Sequence, residues 1–559
     1  MQRAQHPLLH RALGCAVMFF VLALALAACN YPAGIRSGTE ASPPTLTPFA
    51  PLSASPTPVL LHLWISPALP EELRAPLEAM ELAGGERVER VADPGEADVR
   101  AEPQAGTTLS RWVLAVVAPF PTLRDSISLE ELRAAWIGGA SGTGTLFVSP
   151  NIAAQLEVFF AVPPSTAVQL VDSTALVEKA WSNRPSLAVV GFGELEPRWK
   201  VLALDGQSPL ASDFQLENYP LTMTFGLSGE AAQVARLQSA LSASSSMDWP
   251  ATNRNPDKLT TVLMTGVTAL TRATAWRMET RGVTYPAEKI GEWMRQADLT
   301  HVSNEVSFSE ACPHANPSPS IMRFCSPPEA IQLLDSVGVD VVELTGNHVN
   351  DFGTDPLLYS LDLYQQRGWR VFGGGADLEA SMQPALVEHH GQRFAFLGCN
   401  PAGPPEAWAT ATKPGATPCD YDRLLASLGE LRKQGYLTFF TFQWAESARS
   451  VPLPAQVEAF RRAADSGAVL VQGSQAHQPQ TFEFYHGSLI HYGLGNLFFD
   501  QMQTIPNREE VLDRHVFYEG RWISTELLTA FLEDWSQPRP MTPDERSAFL
   551  GEIFRLSGW

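Results

Sequence analysis

Seven polar residues stand where apolar, strand-like runs end, and their types are those that hold polar groups or move protons. The run 301–303 leads to Asn304 and Glu305, and the run 341–344 leads to Asn347 and His348. The run 437–442 leads to Gln443, and the run 468–471 leads to Gln475 and His477. Histidine titrates near neutrality and can donate or accept a proton. Glutamate can serve as a base or an anionic anchor, while Asn and Gln offer a donor and an acceptor on one side chain. A lone histidine at a strand end is more often structural. Recurrence of such residues at four successive strand ends is what marks a site.

Helices must lie between those strands for the ends to share one rim. Helical periodicity covers 286–297, 328–337, 356–367, 420–434 and 454–466, so strands and helices alternate. Alternation of this kind implies an α/β domain, with ligands bound at the carboxyl ends of the strands. Upstream, a second alternating region runs over about 59–246. It has extended segments at 60–65, 112–118 and 186–192 and helical ones at 70–83 and 128–136. That pattern predicts a mainly parallel sheet, with no Ser/His/Asp or metal-ligand cluster in it. A polar stretch around 244–257 separates the two regions. At the carboxyl end, Thr542-Pro-Asp-Glu545 is a helix start with a capping box, leading to a terminal helix ending near Ser557.

Length and charge bound the function. With 559 residues the chain is long enough for two or three domains, and 45% hydrophobic content gives them cores. The formal net charge of −21 and the lack of Lys/Arg clusters disfavour a nucleic-acid partner.

The first residues concern export. Arg3 and Arg11 precede an uncharged apolar run, 12–28, that ends in Leu26-Ala-Ala-Cys29. A basic region, a short apolar region and small residues before a cysteine make an export signal over 1–28. The tetrapeptide resembles a bacterial lipobox, which implies lipidation of Cys29 and an extracytoplasmic protein anchored to the membrane. Residues 29–58 are rich in Pro, Ser, Thr and Ala, as a tether is. Four further cysteines allow three pairings, and proximity favours Cys312–Cys325 and Cys399–Cys419, each closing a Pro-, Asn- or Gly-rich loop.

Ordered motifs add a family. Leu344-Thr-Gly-Asn-His-Val-Asn-Asp-Phe-Gly353 resembles the Asn-His-x-x-Asp-x-Gly signature of the CapA family of poly-γ-glutamate capsule biosynthesis proteins. Ser303-Asn-Glu305 is similar to that family's Asn-Leu-Glu. The run 465–473 before His477, and 488–500 with its Leu-Gly-Asn496-Leu-Phe-Phe-Asp500 ending, resemble its later motifs. The match spans about 259–500 and implies a calcineurin-like metallophosphoesterase α/β sandwich over 259–559. It also implies a role with an anionic extracellular polymer or the machinery that makes or exports it. His348, Asn347 and His477 would then be catalytic, with Asn304, Glu305, Asp351, Gln443, Gln475 and Asn496 contacting substrate. In the upstream region, 113–122 with Ser128-Leu-Glu-Glu-Leu-Arg133 and Trp136-Ile-Gly138 resembles phosphate-type periplasmic binding proteins. Residues 59–246 would be a binding-protein-like module, although the usual oxyanion loop is replaced by Ile65-Ser-Pro-Ala-Leu-Pro70.

Departures from the family pattern bear on chemistry. Where such folds carry a metal-holding carboxylate after the first strand, this chain has Gly266-Val267; the family's His-Trp-Gly is Gln443-Trp-Ala445. Its Gly-x-His-Pro-His is Gly473-Ser-Gln-Ala-His477. A tight two-metal centre needs several anionic or imidazole donors, so a divalent metal is expected to bind weakly or not at all. Two readings follow: a degenerate hydrolase or transferase, or a non-catalytic surface module with a neutral hydrogen-bonding pocket.

Overall fold

Two facing sheets with helices on their outer surfaces form the carboxyl-terminal part of the computed structural model, and the strand sequences show why. In Leu437–Gln443 every residue is buried, with Phe439 facing the space between the sheets and Phe440 and Phe442 facing the outer helices. Both faces are covered, so the strand is an apolar run rather than an alternating one. The first sheet runs in the order Arg370–Phe372, Val341–Glu343, Leu299–Asn304, Leu259–Met264, Glu509–Tyr518, Arg521–Glu533 and Gln537–Pro540. Its first four strands are parallel and its last three are joined antiparallel. The second runs Ala385–His389, Gln392–Cys399, Leu437–Gln443, Leu470–Ser474, Ser488–His491 and Phe482–Tyr485, with parallel pairing in the middle. This is the α/β sandwich that the sequence motifs imply.

Three apolar layers hold it. Val262, Met264, Phe372, Phe394, Phe396, Phe439 and Phe517 fill the space between the sheets. Leu334, Leu357 and Tyr364 pack outside the first sheet, and Leu428, Phe460 and Ala463 outside the second. Each such side chain contributes about 1.5–3 kcal/mol through burial. Several polar groups trapped between the sheets pair with one another, as low dielectric favours. Glu343 accepts from the hydroxyls of Thr345 and Thr441 at 2.5 and 2.8 Å and meets His301 Nε2 at 3.2 Å. Thr441 belongs to the opposite sheet, so this contact also sets how the sheets face each other. Asp513 meets His491 Nδ1 at 2.7 Å and accepts from Gln472 at 2.9 Å.

The described residues are 60–81, 87–139, 142–243 and 249–559. The expected export signal, its Cys29 and the tether lie outside them. Strands between Leu60 and Gly229 form a separate nine-stranded sheet. It is mixed rather than mainly parallel. Val99–Pro103 is followed after only three residues by Thr107–Pro119. The two strands run in the same direction, one on each side of a later strand. Thr222–Gly229 inserts between the two, antiparallel to both. The chain from Pro58 to Trp559 packs as one unit. Arg546, on the terminal helix Pro543–Leu556, donates to Asp125 at 2.8 and 2.9 Å, and Ser524 donates to the Trp199 carbonyl at 3.3 Å. The capping box of that helix is present: Thr542 accepts from the Glu545 amide and Glu545 accepts from the Thr542 amide.

Both expected disulfides are formed, Cys312–Cys325 and Cys399–Cys419. The glycines at 373–375 lie where backbone and side chains approach closely. A Cβ on Gly374 would stand 2.7 Å from Leu344 Cβ, and Gly374–Gly375 pairs with Gly415–Ala416, so the glycines allow close packing. No helix among the described residues is long and apolar enough to cross a membrane.

Candidate functional site

Strand ends on both sheets bring most of the expected residues together. Leu299–Asn304 delivers Glu305, which is 2% exposed, and the loop after Val341–Glu343 delivers Asn347 and His348. Gly346 lets that loop pass directly over Glu305, because a Cβ there would lie 2.6 Å from Glu305 Cα. From the second sheet, Leu437–Gln443 ends in Gln443, and Leu470–Ser474 runs into Gln475 and His477. Gln475 and His477 both take left-handed backbone, with φ of 76° and 54°. Non-glycine residues in that region cost about 1–3 kcal/mol each, a strain common at ligand sites.

Gln443 is the hub. Its Nε2 donates to Glu305 Oε1 at 3.3 Å, to Asn347 Oδ1 at 3.4 Å and to Gln475 Oε1, while its Oε1 accepts from the Ser474 hydroxyl at 2.7 Å. His477 Nδ1 pairs with Asn496 Oδ1 at 2.8 Å, and Asn496 donates to the carbonyls of His477 and Asn507 at 3.2 and 3.1 Å. The amide therefore faces the ring with its oxygen, so Nδ1 carries the proton and Nε2 points to Glu446 Oε1, 3.8 Å away. His348 is held in the same manner: Nδ1 meets Asp351 Oδ2 at 2.7 Å, and the ring lies 4.6 Å from that of Phe324. Asp351 is fixed in turn by the Phe324 amide at 2.8 Å. Nε2 of His348 is left to face a ligand.

Neighbouring acids push both imidazoles toward the charged form. Burial opposes charge on His348, but Asp351, Glu305 and Glu446 outweigh it and lift its pKa above the ordinary value. Burial opposes charge on His477 too, and Glu446, Glu305 and Asn496 overcome it. Glu446 is held below the usual carboxylate range, first by its bond to His477. The arrangement is two imidazoles interleaved with three acidic side chains, Glu305, Asp351 and Glu446, beside three side-chain amides.

Asn304 does not join them. Its Nδ2 turns inward to the Tyr364 hydroxyl at 2.7 Å and the Val306 carbonyl at 3.0 Å, and the residue is fully buried. Glu446 and Arg272 were not legible as site residues. Glu446 lies three positions after Gln443 on an irregular loop. Arg272 pairs with Asp500, 228 positions away, and its guanidinium sits 5.3 and 4.9 Å from the ring centres of Phe324 and Phe499. The matching phenylalanines and the acid gave a signal only in hindsight of that packing.

The two-metal centre that the calcineurin-like fold implies was tested against these donors, and they do not fit it. Val267 stands where the first carboxylate would be, in an apolar cluster with Ala269, Val306, Phe324 and Phe499. The amide oxygens of Gln443 and Gln475 are already accepting hydrogen bonds from Ser474 and from Gln443. Among the described residues, no three His, Cys, Asp or Glu side chains are grouped to hold a metal ion.

Comparison with known proteins fits this placement. Residues 261–501 match the family described as bacterial capsule synthesis protein PGA_cap. The chain is 26% identical over 218 residues to the capsule biosynthesis protein CapA of Bacillus anthracis, covering 38% of this chain and 53% of the relative. It is 24% identical over 193 residues to the PGA biosynthesis protein CapA of Bacillus subtilis, covering 34% and 51%. The chain thus spans about half the length of these curated relatives. Among solved structures, an ABC-type phosphate transport receptor from Vibrio cholerae aligns at 12% identity and a TM-score of 0.26, covering 33% of this chain and 94% of the receptor. The family motifs and the site they build coincide, and both lie within residues 261–501, the part of this chain that matches the bacterial capsule synthesis protein family.

Proposed function

We propose that this chain is a surface-tethered accessory protein in the synthesis or export of an anionic capsule polymer of the poly-γ-glutamate type. In this reading the cluster around Gln443 holds a γ-glutamyl segment. Support comes from the family region, from the names of the relatives, and from the export signal with its Leu-Ala-Ala-Cys29 ending. The observation that carries the reading is the set of three side-chain amides beside His348, whose pKa is raised by the acids around it. In the Gln443 network Asn347 and Gln475 take part through their oxygens, which leaves their N–H groups to donate to the carbonyl oxygen of a γ-glutamyl link. His348, its Nδ1 proton given to Asp351, presents Nε2–H to a carboxylate or an amide oxygen.

A second reading is favoured by the same dyad: metal-free transfer of the γ-glutamyl group from its amide to water or an acceptor amine, which bonds to the carbonyl carbon and loses a proton as His348 donates one to the departing amine. Both readings dispense with a metal-bound water, since Val267 brings no donor and the amides are engaged. The test is calorimetry of the full chain in detergent against a γ-glutamyl oligomer, with and without chelator, alongside turnover of a chromogenic phosphodiester. Binding that survives chelation, with no phosphodiester turnover, is expected. Tightly bound stoichiometric metal with chelator-sensitive turnover would reject the proposal. Release of a γ-glutamyl unit, lost in His348→Ala, would select the enzymatic reading.

The anchor has its own check. Mass spectrometry of the mature amino terminus is expected to find Cys29 carrying lipid as the first residue. An unmodified chain starting elsewhere would remove the anchor from the proposal.

A further inference from the structure

A cleft of about 250 Å³ is lined in part by the loop that the Cys312–Cys325 disulfide closes. Phe324 is a wall it shares with the capsule-family site, since that ring also lies 4.6 Å from the ring of His348. The lining holds Arg272, Arg323 and His314 and no carboxylate, in a chain of formal net charge −21. Arg272 is already paired with Asp500. Acids that touch the loop are engaged as well. Glu279 accepts from the Ala315 amide at 2.9 Å and lies 3.8 Å from His314 Nδ1, while Asp351 holds His348 and the Phe324 amide.

Arg323 is different. Among the described residues no carboxylate pairs with it. Its Nε donates to the Asp351 carbonyl at 2.8 Å, and its guanidinium lies 4.8 Å from the ring centre of Phe352. That bond and that stacking hold the planar group in place and leave both Nη groups to a ligand. A fork held in this way matches a carboxylate through two parallel hydrogen bonds, with less freedom left to lose than a lysine would have. Asp351 joins the two places. Its side chain holds His348 Nδ1 and its backbone carbonyl holds Arg323 Nε, so ligands on His348 and on Arg323 lie to either side of one residue.

We infer that Arg323 and the cleft beside it form a second subsite, which receives the free carboxylate of a γ-glutamyl unit neighbouring the one held at Gln443. The inference rests on the reading of the Gln443 cluster as a γ-glutamyl site and adds what selects the polymer. A γ-linked chain keeps one carboxylate free on every unit, so a carboxylate subsite beside an amide subsite distinguishes it from an uncharged polyamide.

Calorimetry on the full chain in detergent, with a γ-glutamyl oligomer and its carboxylate methyl ester as probes, tests it. Arg323→Gln is expected to weaken the oligomer about five- to tenfold at about 20 mM salt, and less at high salt because Arg323 is exposed. The ester should stay within about twofold. Arg323→Lys keeps the charge without the fork and should recover part of the loss. Arg555→Gln, at an exposed arginine of the terminal helix, should change nothing. Unaltered oligomer binding in Arg323→Gln would overturn the inference and leave the Gln443 reading standing. Equal weakening of oligomer and ester would overturn it as a structural effect, and an equal loss in Arg555→Gln would overturn it as diffuse attraction. Polyphosphate bound as tightly as the oligomer would overturn it in favour of a general anion contact. No binding of the oligomer by the wild-type chain would end the Gln443 reading and this inference with it.

Discussion

Replacing Asp500 by Ala is expected to destabilise the capsule-family region by about 3–5 kcal/mol, the range for stranding one partner of a buried ion pair. Asp500 is 3% exposed and Arg272 12%. Three contacts meet on this one carboxylate. Oδ2 accepts from Arg272 Nε at 3.1 Å and from the Ala273 amide at 2.8 Å, and Oδ1 accepts from Arg272 Nη2. The amide belongs to the first turn of helix Arg272–Arg281, whose own cap position, Thr271, makes no side-chain cap bond. Asp500 therefore caps that helix from a remote loop and adds an anion at its positive end. Without it the guanidinium stays enclosed between Phe324 and Phe499 and loses its direct ion pair, with Glu446 the more distant acid. Urea unfolding followed by tryptophan fluorescence measures the loss. Asp500→Asn should fall between, keeping the acceptor and losing the charge. A loss below about 1 kcal/mol for Asp500→Ala would show the pair to be solvated and the argument wrong.

Ligand binding at the Gln443 cluster is expected to weaken about 10–100-fold in His348→Ala, the worth of a hydrogen bond to a charged group. The same interaction should carry a pH signature. The pKa of His348 is raised in the folded chain by Asp351, Glu305 and Glu446 against the pull of burial. A raised histidine contributes stability, and a donor for the ligand, that is fully present below its unfolded-chain value of about 6.5. Both are lost as pH rises through the higher folded value. Affinity for a γ-glutamyl oligomer should accordingly be greatest in mildly acidic solution and fall above neutrality. Asp351→Asn removes the nearest carboxylate and leaves burial opposed by less, so the fall should move to lower pH. NMR titration of the His348 Cε1 proton, read beside the binding curve, separates this from a general loss of structure. An unchanged midpoint in Asp351→Asn would show that Asp351 does not hold the imidazole charge.

Much of this molecule is written locally. Apolar runs such as 437–442, ending in a polar residue, place Gln443 at a strand end with no knowledge of the rest of the fold. The motif 344–353 joins His348 to Asp351 within one turn of chain, and both disulfides link cysteines close in sequence. The capping box at Thr542 is likewise complete within four residues. Short-range spacing and side-chain type determine such features, so one sequence suffices to read them.

Other features depend on partners that only the folded chain supplies. Asn304 and Glu305 are neighbours at one strand end, yet successive side chains of a strand point to opposite faces. Pairing with the adjoining strands turned Asn304 to Tyr364 and Glu305 to Gln443. The late strand Thr222–Gly229 inserts between Val99–Pro103 and Thr107–Pro119, antiparallel to both, which makes the amino-terminal sheet mixed. Val267 was visible as a missing carboxylate, but its enclosure by Val306, Phe324 and Phe499 required three distant segments to meet. Arg272 found Asp500 across 228 positions, and Glu446 reached His477 from a loop without periodicity. Sequence alone determined which residues stand at strand ends and which bonds close over short loops. Tertiary structure decided where their side chains point and what charge surrounds them, because register and long-range packing, not local propensity, fix those two things.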